Sequence, residues 1–191
     1  MADALPDILA KHLAVIFCGI NPGMTAAALG HHFAGRGNRF WRAIHLAGFT
    51  PGQILAQNDR TILQYGYGLT TVVARPTARA DQLSAQDFSA AAARFEQKIA
   101  RHAPRFVAFL GKAAYAALSG QRDIPWGLQP ASFGGAAVWV LPNPSGRNRG
   151  FTLAQLTAAY RQLYLAATPD QHPPVTPPAP APPFSAAPVS L

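Results

Sequence analysis

The apolar positions of this chain form short, nearly continuous runs that are separated by longer stretches with helical spacing. Residues 13–19 (LAVIFCG), 105–110 (RFVAFL) and 138–141 (VWVL) are runs of the kind found in strands buried on both faces. Residues 68–73 (GLTTVV) predict a further strand. The pattern therefore predicts four strands spread along the chain.

Helical segments lie between and after these strands. Segment 38–48 places large apolar side chains on or near one face and ends at Gly48. Ser84 can cap a helix that runs to about His102, and Asp87 stands three residues later, as in a capping box. Two more helices are predicted at 111–119 and 151–167.

Alternating strands and helices predict an α/β fold, with a parallel sheet covered by helices on both faces. In such sheets the ligand site lies beyond the carboxyl ends of the strands. The segments that leave those ends are rich in residues whose backbone can approach a ligand closely. They are GINPG at 19–23, ARPTARAD at 74–81, GKAAY at 111–115 and PNPSGRNR at 142–149.

Length and composition suit one domain, because 191 residues of which 49% are hydrophobic can bury a sizeable core. No apolar run is long enough to cross a membrane, and residues 1–17 lack a secretory signal pattern. The single cysteine, Cys18, excludes an internal disulfide and a four-cysteine metal site. We expect a cytoplasmic protein with a folded domain at 1–167. Residues 168–191 hold nine of the 18 prolines and predict a disordered Pro/Ala-rich tail.

The charge balance favours a polyanionic partner. The formal net charge is +8, and 13 of the 16 basic residues are arginine, which binds phosphate in a bidentate way. The alternative is a compositional bias of a GC-rich genome. Charge alone therefore does not choose between nucleic-acid binding and no binding.

Five motifs stand out along the chain: FCGINPG at 17–23, GHHFAGRGNRFW at 30–41, RPT at 75–77, LGKAAY at 110–115 and LPNPSGRNR at 141–149. Together they resemble the motifs of the mismatch-specific uracil-DNA glycosylases, the branch of the uracil-DNA glycosylase superfamily shared with the thymine-DNA glycosylases. The resemblance implies a three-layer α/β/α sandwich with a central four-stranded parallel sheet. It also implies removal of uracil, mainly opposite guanine, from double-stranded DNA as the first step of base excision repair, by a monomer without cofactor or metal.

The resemblance also implies roles for individual residues. Asn21 would orient the attacking water through its amide oxygen, because an amide cannot deprotonate water. Phe33 would stack on the flipped base and Asn143 would contact the nucleotide. The alternatives are an ordinary turn at Asn21 and a core position for Phe33. Ile20 is a further expected base-binding residue, and the expected DNA-binding residues are Gly23, Thr25, Ser145, Gly146, Arg147, Asn148 and Arg149.

Several positions depart from the pattern of relatives. Arg147 occupies the wedge position, commonly an apolar leucine, where it can donate hydrogen bonds to the orphan guanine or lie along the DNA backbone. Thr71 stands where some relatives carry a basic residue, and Ala26 where some carry a small hydroxyl. His31 and His32 resemble the thymine branch, which adds G·T as a candidate substrate alongside 3,N4-ethenocytosine.

Two residues carry separate hypotheses. Asp81 is the acid on a loop that leaves a predicted strand end, and it could assist water activation in place of the missing base. The alternative is a solvated loop aspartate. Lys112 could in principle form a Schiff base, but its place in the first turn of a predicted helix leads us to expect no lyase activity.

Other classes of function remain as alternatives. Glycine-rich strand ends also bind mononucleotides, so a nucleotide or nucleoside hydrolase is one alternative. No GxxxxGK[ST] or GxGxxG motif occurs, which disfavours phosphate-loop and dinucleotide binding. A non-catalytic sensor of damaged DNA is another alternative, because Asn21 is no base. Turnover separates the sensor from the enzyme.

Overall fold

The computed structural model describes residues 5–168, which form one twisted sheet with helices on both faces. The strands are β1 Val15–Gly19, β2 Tyr67–Thr71, β3 Phe106–Leu110, β4 Gly127–Phe133 and β5 Ala136–Leu141. The α-helices are α1 Met24–Leu29, α2 Phe40–Ala47, α3 Ala85–His102, α4 Lys112–Ser119 and α5 Leu153–Ala167. Two 3₁₀ segments are Ala56–Tyr65 and Ala80–Gln82. The predicted tail beyond Thr168 lies outside the described residues.

The sheet order is β2-β1-β3-β5-β4, and the first four of these strands are parallel. The α/β class and the four predicted parallel strands are confirmed. The count of four strands is corrected to five, because β4 adds to the edge as an antiparallel partner of β5. Most of β4 is exposed and it contains Pro130, which a strand tolerates at a sheet edge. Neither feature produces the apolar run by which the other strands were predicted.

Successive side chains of β1 pack alternately into two hydrophobic cores, one on each face of the sheet. The sheet and the helices on its two faces therefore form three layers. Val15 and Phe17 pack in the core on the side of α2 and α5. Ile16 and Cys18 pack in the core on the side of α3 and α4. Burial raises the pKa of the Cys18 thiol, so this cysteine is an inert core residue.

The predicted helices are present with ends shifted by a few residues. Ser84 caps α3 by accepting from the amide of Asp87, and the Asp87 carboxylate accepts from the Ser84 amide in return, as the capping box predicts. Helix α1 and the 3₁₀ segments were not predicted. No helix in the described part of the chain is both long and apolar enough to cross a membrane.

Candidate active site

The carboxyl ends of the parallel strands open into a cavity of about 480 Å³, where the sequence placed the ligand site. Its walls come from residues 19–26 after β1, Thr71 and residues 77–80 after β2, and residues 143–147 after β5. Residues of the 32–38 segment close the remaining side. No carboxylate is among the described residues that line this cavity.

The amide of Asn21 is held in one orientation by two acceptors. Its Nδ2 donates to the carbonyl oxygen of Arg75 at 2.8 Å and to Oγ1 of Thr77 at 2.8 Å. The Thr77 hydroxyl in turn donates to the carbonyl oxygen of Arg79 at 2.7 Å. Because a carbonyl can only accept, Nδ2 must face Arg75, and Asn21 presents its Oδ1 as an acceptor. In the described part of the chain no hydrogen bond engages that oxygen.

The amide of Asn143 is held in the opposite sense. Its Oδ1 accepts from the backbone amide of Ser145 at 2.9 Å, which leaves Nδ2 as the free group. Asn143 is half-buried and lines the same cavity as Asn21. The cavity therefore carries an acceptor from the loop after β1 and a donor from the loop after β5.

An aromatic wall stands beside these amides. The Phe33 ring stacks on Phe40, with ring centroids 4.0 Å apart, and Trp41 meets Phe33 edge-on. Phe33 is half-buried and lines the cavity, and its φ of 56° is unusual for a residue with a large side chain. Stable packing against α2 thus holds Phe33 in a conformation that a free loop would seldom adopt.

The neighbouring histidine is a structural core group. His32 is buried, its backbone amide donates to Oδ2 of Asp59 at 2.8 Å, and its Nε2 lies 2.9 Å from the carbonyl oxygen of Pro6. Nε2 must carry the proton, because the carbonyl cannot donate. Burial lowers the pKa of His32, so the ring is neutral at pH 7. Nδ1 of His31 lies 3.5 Å from Oδ1 of the same aspartate.

Basic side chains surround the cavity. Arg36, Arg79 and Arg147 are exposed and are among its lining residues. The guanidinium of Arg79 donates to both oxygens of Asp81, at 2.9 and 2.8 Å, and Asp81 does not line the cavity. The Lys112 ammonium lies over the indole of a tryptophan, 4.5 Å from the ring centroid, and is also outside the cavity lining.

The 143–151 loop is organised by its own polar groups. Nδ2 of Asn148 donates to the carbonyl oxygen of Asn143 at 2.8 Å, and Oδ1 of Asn148 accepts from the Gly150 amide. A Cβ added at Gly146 would lie 2.7 Å from the carbonyl oxygen of Gly37, so only glycine fits where the two loops touch. Asn148 therefore shapes the loop.

The structure brings most of the predicted site residues together. Those that line the cavity are Ile20, Asn21, Gly23, Thr25, Phe33, Asn143, Ser145, Gly146 and Arg147. Asp81, Asn148 and Arg149 do not. Thr71 and Ala26 are buried in the cavity wall rather than placed at the surface. No cluster of three metal-ligating side chains occurs among residues 5–168.

Sequence reasoning missed the residues that hold the site together. RPT at 75–77 was noted as a motif, but its hydrogen bonds to Asn21 were not foreseen. Asp59 and Arg39 carried no signal at all, because their contacts join residues 27 and more than 100 positions apart. Helical amphipathicity and strand alternation do not encode such contacts.

The mostly parallel sheet and the cavity at its strand ends define an α/β protein with a ligand site at the carboxyl edge of the sheet. The profile of the Uracil DNA glycosylase superfamily matches residues 6–166, so the chain belongs to this superfamily. The fold is similar to that of a protein from Methanosarcina acetivorans, solved by NMR and described as a candidate uracil DNA glycosylase. The sequence identity is 19%, the TM-score is 0.56, and the match covers 85% of this chain and 98% of the other.

Proposed function

We propose that this protein is a monofunctional glycosylase that excises uracil, mainly opposite guanine, from duplex DNA and leaves an abasic site for base excision repair. The observation that carries the proposal is the pair of oppositely oriented amides, Asn21 and Asn143, in one cavity at the strand ends. Membership of the superfamily and the basic surroundings of the cavity support it.

Base flipping would deliver the uracil to the Phe33 wall. Extruding a nucleotide costs a few kcal/mol and is cheapest at a mismatch, which favours G·U over a paired base. Stacking on an aromatic ring returns about 1–3 kcal/mol per base without reading its identity. Identity must then come from the polar groups of the wall, of which the free Nδ2 of Asn143 is the donor suited to a uracil carbonyl.

The chemical step needs an oriented water and a stabilised leaving group. Oδ1 of Asn21 would accept a hydrogen bond from the water. This hydrogen bond would orient the water oxygen towards C1′. As the C1′–N1 bond breaks, its electron pair leaves with the uracil, and the negative charge on the base oxygens meets the Asn143 donor. The water oxygen bonds to C1′, and its proton passes to solvent because no carboxylate of residues 5–168 lines the cavity.

The 143–151 loop is the proposed wedge and DNA contact. Arg147 is exposed at the cavity and would fill the space left by the flipped nucleotide, with its guanidinium donating to the orphan guanine. Ser145, Gly146 and Arg149 of this loop, with Gly23 and Thr25 across the cavity, are the proposed backbone contacts. Asn148 contributes by holding the loop shape.

Two side hypotheses stay predictions. Asp81 could assist water activation only if its pair with Arg79 opened, since that pair engages both carboxylate oxygens outside the cavity lining. A lyase step at Lys112 is disfavoured because its ammonium lies over an indole ring. We expect borohydride to trap no protein–DNA adduct.

Base release from matched oligonucleotides tests the proposal. Duplexes carrying G·U, A·U, G·T or G·3,N4-ethenocytosine, and single-stranded uracil, are incubated with the protein and scored by alkaline strand cleavage. We expect fastest release from G·U. Binding to G·U without release of any base would replace the enzyme with a damage sensor. Release from free nucleosides in preference to DNA would favour a nucleoside hydrolase.

A further inference from the structure

Arg39 connects α2 to the 143–151 loop through backbone carbonyl groups alone. Its guanidinium donates to the carbonyl oxygens of Phe151 at 2.5 Å, Asn148 at 2.7 Å, Ser145 at 3.0 Å and Pro144 at 3.4 Å. The Arg39 backbone amide also donates to Pro144, at 3.0 Å. One side chain therefore gathers four carbonyl groups of a loop that contains no helix or strand.

This arginine has no carboxylate partner among residues 5–168, so its charge is satisfied by carbonyl dipoles and solvent. A guanidinium offers five N–H donors in a rigid planar fork, whereas a lysine offers three donors at one point. The geometry seen here, with acceptors spread over the loop, requires the fork.

The start of α2, where Arg39 lies, also supports the aromatic wall on which the flipped base would stack. The next residue, Phe40, is buried in the core and carries the stacked Phe33 ring. Helix α2 is thus one rigid element that positions two separate parts of the site. It positions the aromatic wall through Phe40 and the wedge loop through Arg39.

We propose that Arg39 is a positioning residue that sets where Asn143 and Arg147 stand relative to Asn21 and Phe33. The inference rests on the proposed function, since it assigns the alignment of that reaction to a residue outside the cavity. A misplacement of about 1 Å in such an alignment can lower a rate by about 100-fold. Arg39 should therefore act on the rate of the chemical step more than on DNA affinity.

Single-turnover excision from G·U duplex, at saturating enzyme, measures that rate in Arg39→Ala and Arg39→Lys. Arg161→Ala is the matched control, because Arg161 also donates to a backbone carbonyl, that of Ala47 at 3.3 Å, but away from the cavity. We expect about a 100-fold slower rate in Arg39→Ala, little recovery in Arg39→Lys, and a wild-type rate in the control.

Chemical rescue separates positioning from a loss of folding. Millimolar guanidinium should restore part of the rate in Arg39→Ala by filling the vacated position, and sodium chloride at equal ionic strength should not. A wild-type rate in Arg39→Ala, an equal loss in Arg161→Ala, or a loss that guanidinium leaves unchanged would each overturn the inference.

Hydrogen exchange gives a readout that does not depend on catalysis. The loop amides of Ser145, Asn148 and Gly150 are hydrogen-bonded, so they should exchange faster in Arg39→Lys than in wild type, while α5 amides stay unchanged. Unchanged loop exchange would contradict the positioning role. If wild-type protein released no uracil, the proposed function would fail, and loop exchange alone would decide the role of Arg39.

Discussion

The loops after β1 and β5 each bring an asparagine to the cavity, but they hold it in opposite ways. The amide nitrogen of Asn21 donates hydrogen bonds to acceptors 54 and 56 residues away, in the loop after β2. The amide oxygen of Asn143 accepts a hydrogen bond from a backbone amide two residues away in its own loop. The same side chain thus becomes an acceptor through distant contacts and a donor through a local turn. Partners, not residue type, set the chemistry of an amide.

The largest expected effect among tests of this comparison is at Asn143. Asn143→Asp removes the donor and places a carboxylate where the uracil anion would form. We expect single-turnover excision from G·U to fall by about 100-fold to 1000-fold, as for loss of an oxyanion donor. Asn58→Asp makes the same charge change at an exposed position outside the cavity and should keep the wild-type rate. Equal rates in the two variants would remove Asn143 from the mechanism.

The distant support of Asn21 should matter less, because one of its two acceptors would remain. Thr77→Val keeps the shape of a buried residue but deletes the hydroxyl that accepts from Asn21. Loss of one hydrogen bond is worth about 1 kcal/mol, so we expect roughly a five- to tenfold slower chemical step. Thr50→Val removes a buried hydroxyl elsewhere, which donates to Gly52. A comparable slowing in that variant would show that the effect is not specific to the site.

His32, which lines the same cavity, should make the stability of the protein depend on pH. The pKa of His32 is lowered from 6.5 by burial, so the unfolded chain binds its proton more readily than the folded protein does. The unfolding free energy should therefore fall as the pH drops below about 6.5 and be fully retained above it. Urea titrations from pH 8 to pH 5 measure this slope. His32→Gln should flatten it, and a slope as steep as wild type would contradict the assignment.

The smallest effect is expected at Asp81, the acid that could stand in for the base that Asn21 lacks. Its pairing with Arg79 outside the cavity lining leads us to expect an almost unchanged excision rate in Asp81→Asn. Asp123→Asn, at an exposed position outside the cavity, is the control. A large loss in Asp81→Asn alone would support the catalytic hypothesis and show that the pair opens in the DNA complex.

Burial decided how much of the fold could be predicted. The strands β1, β3 and β5 are continuous apolar runs because both faces of a central parallel strand are covered, and their positions were predicted to within two residues. Strand β4 lies at the exposed edge and has no such run. Helix α1 has six residues, too few for a periodic pattern.

The site divided in a similar way. Asn21, Phe33 and Asn143 stand in motifs that the sequence displays, and the structure brings them to one cavity. The supports could not be predicted, because the contact from Arg39 to Asn148 spans 109 residues and depends on how the loops meet in space. The local sequence motifs predict which side chains face the cavity. The tertiary contacts decide which atom of each side chain is free to contact a ligand.

The most direct test of this account is uracil release from a G·U duplex in a single turnover by wild type and by Asn21→Ala, with DNA binding measured in parallel. We predict release by wild type and about a 100-fold slower rate in Asn21→Ala with similar DNA affinity, because the variant lacks the acceptor that orients the water. Equal release by the two proteins, or tight binding by wild type without any release, would contradict it.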